Sequence, residues 1–216
     1  MMKALVACER SGTVRDALIR HGWDAISCDI QESIAEGPHY CGDVMDILYE
    51  PWDMIIAHPP CTFSAHSGVQ HLWDESKKPE KVKVEERWEK MRKGVEFFNI
   101  FRDHPCKKKC IEQPILHGYA IDLIGVDYTQ LIQPWMFGHL EQKGTCLWLY
   151  GLDELVPTNN VYKEMMKLPE SERQKMFWMG PSEERANLRS KTYDGIAEAM
   201  AEQWTNPRQL NIMDFC

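Results

Sequence analysis

The chain has 216 residues, 44% apolar and 27% charged, with a formal net charge of −8. That length predicts a single domain over 1–216 with a core of its own. No apolar stretch approaches the roughly 18 residues of a membrane span, and the acidic balance excludes a globally basic nucleic-acid footprint, so any polynucleotide must be met by a local patch. The opening run "MMKALVACERSG" breaks at Glu9 and Arg10, too early for a signal peptide, so a cytoplasmic location is expected. Eight cysteines, scattered from Cys8 to Cys216 without a staple pattern, are expected to be mostly reduced.

In chain order, "KALVACE" (3–9) reads as a strand, Ser11-Gly12-Thr13 as a turn, and "VRDALIRHG" as a helix that stops at Gly22. "WDAISCDI" (23–30) reads as a second strand, "YCGDVMDIL" as a turn into a short helix, and "DMIIAHPP" (53–60) as a buried strand. This β-α-β-α-β order predicts an α/β fold with a doubly wound, mostly parallel sheet. Residues 74–104 begin as a charged loop, expected to be mobile over the sheet, and become an amphipathic helix with Trp88, Met91, Val95, Phe98, Ile100 and Phe101 near helical spacing. "KCIEQP" (109–114) and "TCLWLYGL" (145–152) read as further strands, and "YDGIAEAMAEQW" (193–204) as a C-terminal helix. The least regular stretch, 157–192, interleaves Arg173, Lys175, Arg185, Arg189 and Lys191 with Phe177 and Trp178; such a segment either tracks phosphates and stacks on bases or is a polar insertion over a satellite core.

In open α/β sheets, ligands lie beyond the carboxyl ends of the strands, where Glu9, Asp29, Asp43 and Cys61 all fall. Gly12 lets the first loop approach a ligand, and Asp29 follows it near the spacing at which an acid reaches a ribose hydroxyl; a cap on a turn is the competing role for Asp29. At Cys61 the two preceding prolines, Pro59 and Pro60, lack N–H donors and fix φ, ending sheet pairing and stiffening the loop that carries the thiol.

"PPCTFS" (59–64) resembles the Pro-Cys motif of DNA cytosine-5 methyltransferases, and "IEQP" their Glu-Asn-Val motif with Gln113-Pro114 in the last two places. "CGDV" (41–44) is similar to the Gly-Asp motif that contacts the adenine of S-adenosylmethionine, and "SCDI" to the strand end that holds its ribose. Gly12, Asp29, Asp43, Cys61 and Glu112 come in the family's order, and "YDGIAEAMAEQW" resembles its last motif. The chain thus looks like a compact, phage-type member, which implies the Rossmann-like fold of class I S-adenosylmethionine-dependent methyltransferases.

The resemblance implies Cys61 as the nucleophile that adds to carbon 6 of cytosine and Glu112 as the acid at N3, with methyl transfer to carbon 5. It assigns the cofactor to Cys8, Glu9, Ser11, Gly12, Asp29, Ile30, Asp43, Val44 and Pro59, and the base or its phosphate to Pro60, Ser64, Lys143 and Thr145. The family's Phe-x-Gly-x-Gly loop is here "ACERSG" and its Gln-x-Arg-x-Arg strand is "QKGTCLWL", so a modified sulfonium donor stays open and Gln142 joins the base contacts. No target-recognition domain of the usual size fits within 157–192, so duplex DNA, single-stranded DNA, a cytosine nucleotide and help from an oligomeric partner are all open.

Three rivals remain. An amino-methyltransferase would carry Asp-Pro-Pro-Tyr where "HPPC" stands. A zinc-bearing interaction module could use His104, Cys106 and Cys110, although no residue of the expected site is taken as a metal ligand. A third rival keeps the fold and binds without catalysing. His58, His66 and His71 surround the thiol and His39 precedes the Gly-Asp motif; a histidine there could be a proton shuttle or a cation for Cys61, but these are expected to orient loops, and none is taken as catalytic.

Overall fold

The structure is a computed structural model that describes residues 1–66, 71–74, 76, 82–179, 188 and 190–205. The strands are β1 (Lys3–Ala7), β2 (Asp24–Asp29), β3 (His39–Cys41), β4 (Met54–Ala57), β5 (Lys108–Pro114), β6 (Gln130–Ile132) and β7 (Thr145–Tyr150). The helices are α1 (Thr13–Arg20), α2 (Glu85–Asp103), α3 (Gly118–Ile124), three single turns α4 (Tyr162–Met165), α5 (Glu170–Arg173) and α6 (Lys175–Trp178), and α7 (Asp194–Thr205). No helix among the described residues is long and apolar enough to cross a membrane.

The strands form a sheet in the order β3-β2-β1-β4-β5-β7-β6. The first five are parallel, and β7 inserts antiparallel to both β5 and β6. This is the α/β, doubly wound, mostly parallel, Rossmann-like sheet that the strand-helix alternation predicts. The central strands read as unbroken apolar runs because both faces are covered. Ala4, Val6, Met54 and Ile56 pack against Val14, Ala17 and Leu18 of α1 and Ile196, Ala197 and Met200 of α7. Leu5, Ala7, Ile55 and Ala57 pack on the other face against Met91, Val95 and Phe98 of α2 and Ala120 and Ile124 of α3. Each such aliphatic side chain contributes roughly 1.5–3 kcal/mol by leaving water.

Several predicted elements need adjustment. The strand expected over 53–60 pairs only over Met54–Ala57, since the prolines cannot donate to a ladder. The turn expected to lead into a helix after Tyr40 holds the short edge strand β3, and only Val44–Asp46 makes a 3₁₀ turn, capped by the Asp43 carboxylate on the Met45 N–H at 3.0 Å. Gly22, at φ +83°, does stop α1, donating its N–H to Ile19 O at 2.9 Å. The charged loop expected to move over the sheet falls largely outside the described residues, as do Arg185, Arg189 and the side chain of Phe177.

Strand order reverses about β1 and β4, whose carboxyl ends therefore open a crevice. Because β7 is antiparallel, its first residue, Thr145, lies beside Pro114 at that same end.

Candidate active site

The segment after β4 is pinned at every step. The His58 N–H donates to Ala7 O at 2.9 Å, extending the β1 pairing by one residue. Pro59 is buried, and its carbonyl accepts from the amide of Gln113, so the residue that departs from the Glu-Asn-Val pattern clamps the proline loop to β5. Beyond Cys61 the chain turns sharply: Ser64 N and Ala65 N both donate to Cys61 O, at 3.1 and 2.9 Å. Ala65 bridges Leu116, and the His117 N–H donates to Ser64 O at 3.1 Å.

This loop forms one wall of a cavity of about 380 Å³, lined by Cys8, His58, Pro59, Pro60, Cys61, Thr62, Ala65, Glu112, Gln113, Pro114, Lys143 and Ser190. The structure therefore gathers six of the residues singled out from sequence, Cys8, Pro59, Pro60, Cys61, Glu112 and Lys143, about one space.

Glu112 does not pair with the nearby lysine run, because Lys109 turns its ammonium onto the carbonyls of Arg102 (2.6 Å) and His104 at the end of α2. Instead Glu112 Oε2 lies 2.8 Å from Nδ1 of His58, with side-chain exposures of 19% and 9%. Burial disfavours both charges, yet the hydrogen bond and charge of each partner outweigh it. His58 is raised above the usual imidazole value, with Glu9 assisting and Lys143 opposing, and Glu112 is held below the usual carboxylate range, with Lys143 assisting. Both shifts favour an imidazolium beside a carboxylate.

Two thiols line the cavity, and their settings differ. Cys8 adopts φ +57°, and burial together with the charges of Asp29 and Asp43 drives its thiol far up. Cys28 behind it is pushed to about 12 by the same causes, and Cys146 to about 12 chiefly by burial. Such thiols are poor nucleophiles at neutral pH. Cys61 is half-buried, on a stiff loop, facing the cavity. The seven described cysteines form no disulfide.

Asp29 and Asp43 meet at the ends of β2 and β3, where the Gly42 N–H donates to Asp29 O at 2.9 Å. Asp29 Oδ1 takes the Gln31 N–H at 2.9 Å, the turn cap weighed against a ribose contact. Both acids act on Cys8, which lines the cavity, so an acidic strip runs from the β2–β3 end to the thiol chamber. Ile30 is 78% exposed beside it, whereas the Val44 side chain lies in the core and leaves only its backbone available.

Glu9 has a different occupation. It is buried, and its carboxylate accepts from Val14 N (2.7 Å), Arg15 N (3.3 Å) and Ser11 Oγ (3.1 Å). It caps the N-terminus of α1 in place of any ligand carboxylate. Gly12, at φ +73°, is left-handed, and a Cβ there would strike the Arg15 guanidinium. Ser64 turns its hydroxyl onto Cys61 O at 3.3 Å and does not line the cavity. Thr145 donates to Lys143 O at 3.3 Å and lines a small adjoining space with Glu112, Lys143 and Ser190. Gln142 gives its N–H to Arg173 O at 2.7 Å.

His58, read from sequence as a loop-orienting residue, and Gln113, read only as a departure from the Glu-Asn-Val pattern, both line the cavity, and neither was placed in the site. The available signal was position, one residue beyond a strand end and one beyond Glu112. His104, Cys106 and Cys110 do not assemble a metal site: among the described residues no three metal-ligating side chains converge. Cys110 is wholly buried in β5, and His104 Nδ1 accepts the Cys106 N–H at 3.1 Å.

The sheet is doubly wound and mostly parallel, with the cavity at the carboxyl ends of its parallel strands. No family model matches the chain, and no curated protein matches it. Among solved structures, it is similar to a protein described as a candidate DNA modification methyltransferase encoded within an E. coli prophage, at 14% identity and a TM-score of 0.42, over 69% of this chain and 46% of the other. It is also similar to a mutant of Spodoptera frugiperda DNMT2, at 12% identity and a TM-score of 0.37, over 74% of this chain and 54% of the other. The chain thus spans about half the length of the structures it matches.

Proposed function

We propose that the protein transfers a methyl group to carbon 5 of a cytosine ring, with Cys61 as covalent nucleophile and Glu112 as the acid at N3. The observation that carries this reading is the chamber itself: a thiol on a proline-stiffened loop facing the same cavity as a carboxyl group from the next strand. The cavity is near the small end of ligand pockets, which run from about 300 to 1,000 Å³, and suits a single base.

The residues fit S-adenosylmethionine on the nucleoside side. Asp29, Ile30, Asp43 and the backbone of Val44 would hold the adenosine, and Cys8 and Pro59 the sulfonium end, where the acidic strip favours a cation. Glu9, already engaged by α1, presents an anion rather than free N–H groups to the amino-acid end. Bound there, the cofactor supplies an electrophilic methyl group.

Cys61, having lost its proton to solvent, forms the bond to carbon 6, and the carbon 5–carbon 6 electron pair shifts into the ring. Glu112 supplies a hydrogen bond and proton at N3, where that charge collects. Lys143 adds a cation to the same wall. After transfer, water removes the carbon-5 proton and Cys61 departs as thiolate, restoring the ring.

The test is mass spectrometry of the protein with S-adenosylmethionine and 5-fluorocytosine offered as duplex DNA, single-stranded DNA and nucleotide. Fluorine blocks the final proton loss, so the adduct is trapped. An adduct on the Cys61 peptide, lost in Cys61→Ser, is expected, and the form that traps identifies the substrate. No adduct with any of the three would refute the proposal.

A further inference from the structure

We infer that His58 acts through Glu112 as the proton source of the site: as the pyrimidine binds, the proton on His58 Nδ1 passes to the Glu112 carboxylate, which delivers it to ring N3. This inference rests on the cytosine reading and adds a residue to it.

The need arises from the protonation of the site. N3 of cytosine bears a lone pair and demands a donor, and a carboxylate has none. Glu112 is ionised beside His58, so it must gain a proton before it can serve. The nearest one lies on the imidazole, across a hydrogen bond of 2.8 Å. Moving it breaks the Nδ1–H bond, forms the Oε2–H bond and leaves His58 and Glu112 both neutral, with no proton taken from solvent. Rotation of the carboxyl group then turns the acid toward the ring. When Cys61 leaves, the proton on N3 returns by the same route, so the dyad ends as it began.

The surroundings favour a transferable proton over a fixed ion pair. Both side chains are largely shielded from water, so annihilating their charges recovers desolvation energy once a base fills the cavity. His58 Nε2 is buried and has no hydrogen-bond partner among the described residues, so the imidazolium carries one N–H that stabilises it little. The charged groups facing it are divided. Glu112 of β5 and Glu9 after β1 hold the proton on the ring, Lys143 before β7 pushes it off, and the Cys8 and Cys61 thiols share the chamber.

The test has two arms. In ¹⁵N-histidine-labelled protein at pH 6, His58 should show a charged imidazole, and saturation with deoxycytidine monophosphate should move its Nδ1 resonance to the neutral range. In Glu112→Gln that movement should vanish. In the second arm, His58→Gln must draw the proton for Glu112 from solvent, so the alkaline limb of the rate profile should move down by at least about one pH unit, a loss of roughly tenfold at pH 8 with near-normal rate at pH 5.5. A His58 that stays charged in the nucleotide complex, or a His58→Gln limb that coincides with the parent's, overturns the inference while leaving the 5-fluorocytosine adduct intact. Absence of any adduct in the parent removes the cytosine reading, and this inference with it.

Discussion

Replacing Glu9 by alanine separates a helix cap from a cofactor ligand. The carboxylate accepts from Val14 N and Arg15 N, two of the four N–H groups that an α-helix leaves without internal partners, and from Ser11 Oγ. Alanine at a capping position costs about 1 kcal/mol, and up to about 2. Here the acceptor is charged, lies on the helix dipole and is only 3% exposed, so water cannot replace it freely; charge-assisted bonds of this kind are worth about 1.5–3 kcal/mol. A loss of about 3 kcal/mol follows, equivalent to roughly 6–12 °C in melting temperature for a chain of this size. Glu9→Gln keeps one oxygen acceptor and should lose about 1 kcal/mol. The assay is urea denaturation of the ligand-free protein, read by far-ultraviolet circular dichroism. If Glu9→Ala unfolds within about 0.5 kcal/mol of the parent while S-adenosylmethionine binding collapses, the carboxylate is a ligand group and the capping argument is wrong.

The His58–Glu112 pair predicts a pH window. Glu112, lowered from 4.5, contributes stability above that value and loses it as pH falls through its folded pKa. His58, raised from 6.5, contributes below that value and loses it as pH rises through its folded pKa. The urea midpoint of the parent should therefore exceed that of Glu112→Gln most between about 4.5 and 6.5, with the gap closing on both sides; a gap independent of pH would contradict the pairing. Arg15 is wholly buried and donates to Ser27 Oγ (3.0 Å), Ser33 Oγ (3.3 Å) and Glu36 O (2.9 Å), so Arg15→Met should cost about 3 kcal/mol and loosen residues 33–38, seen as faster amide exchange there. A Cβ at Gly195 would strike Phe137 O, and the Gly195 N–H holds His139 Nε2 at 3.0 Å, so Gly195→Ala should lower stability by about 2 kcal/mol in the same denaturation assay.

The sheet was legible because its central strands are apolar on both faces and β-branched or small, and because the turn residues fall between them. The edge strands were not: His39–Cys41 and Gln130–Ile132 are three residues each and too short to carry a period. Arg15 shows the same limit from another side. A charged residue inside an apolar helix pattern reads as solvent-facing, and only the loop that folds back over it supplies the carbonyls and hydroxyls that bury it. That Cys61 and Glu112 line one cavity could be anticipated because prolines and strand ends mark them. The partner of Glu112 was invisible: 54 residues separate it from His58, and only the pairing of Ala57 with Ile111 brings the two side by side. The capping by Glu9 was hidden for a related reason, since a carboxylate at a strand end and one capping the following helix have the same sequence signature.

On the proposed cytosine reading, the chamber's charge pattern bears on which step would gain most. The chain is acidic overall, at −8, and the charges of Asp29 and Asp43 add to the burial that suppresses ionisation of the Cys8 thiol. Across the cavity that bias is reversed, because Lys143 and His58, whose proton Glu112 helps hold, both face the space beside Cys61 and Glu112. A cation placed near the acidic strip and an anion growing on the ring near His58 and Lys143 are each matched by the wall they meet. In a space sheltered from water such fixed charges act at short range with little screening. Losing Lys143 to methionine should therefore slow the step that builds negative charge on the ring more than it weakens binding of the neutral base. The expected result is a fall in kcat with little change in KM for the nucleotide; a rise in KM alone would place Lys143 on the phosphate instead.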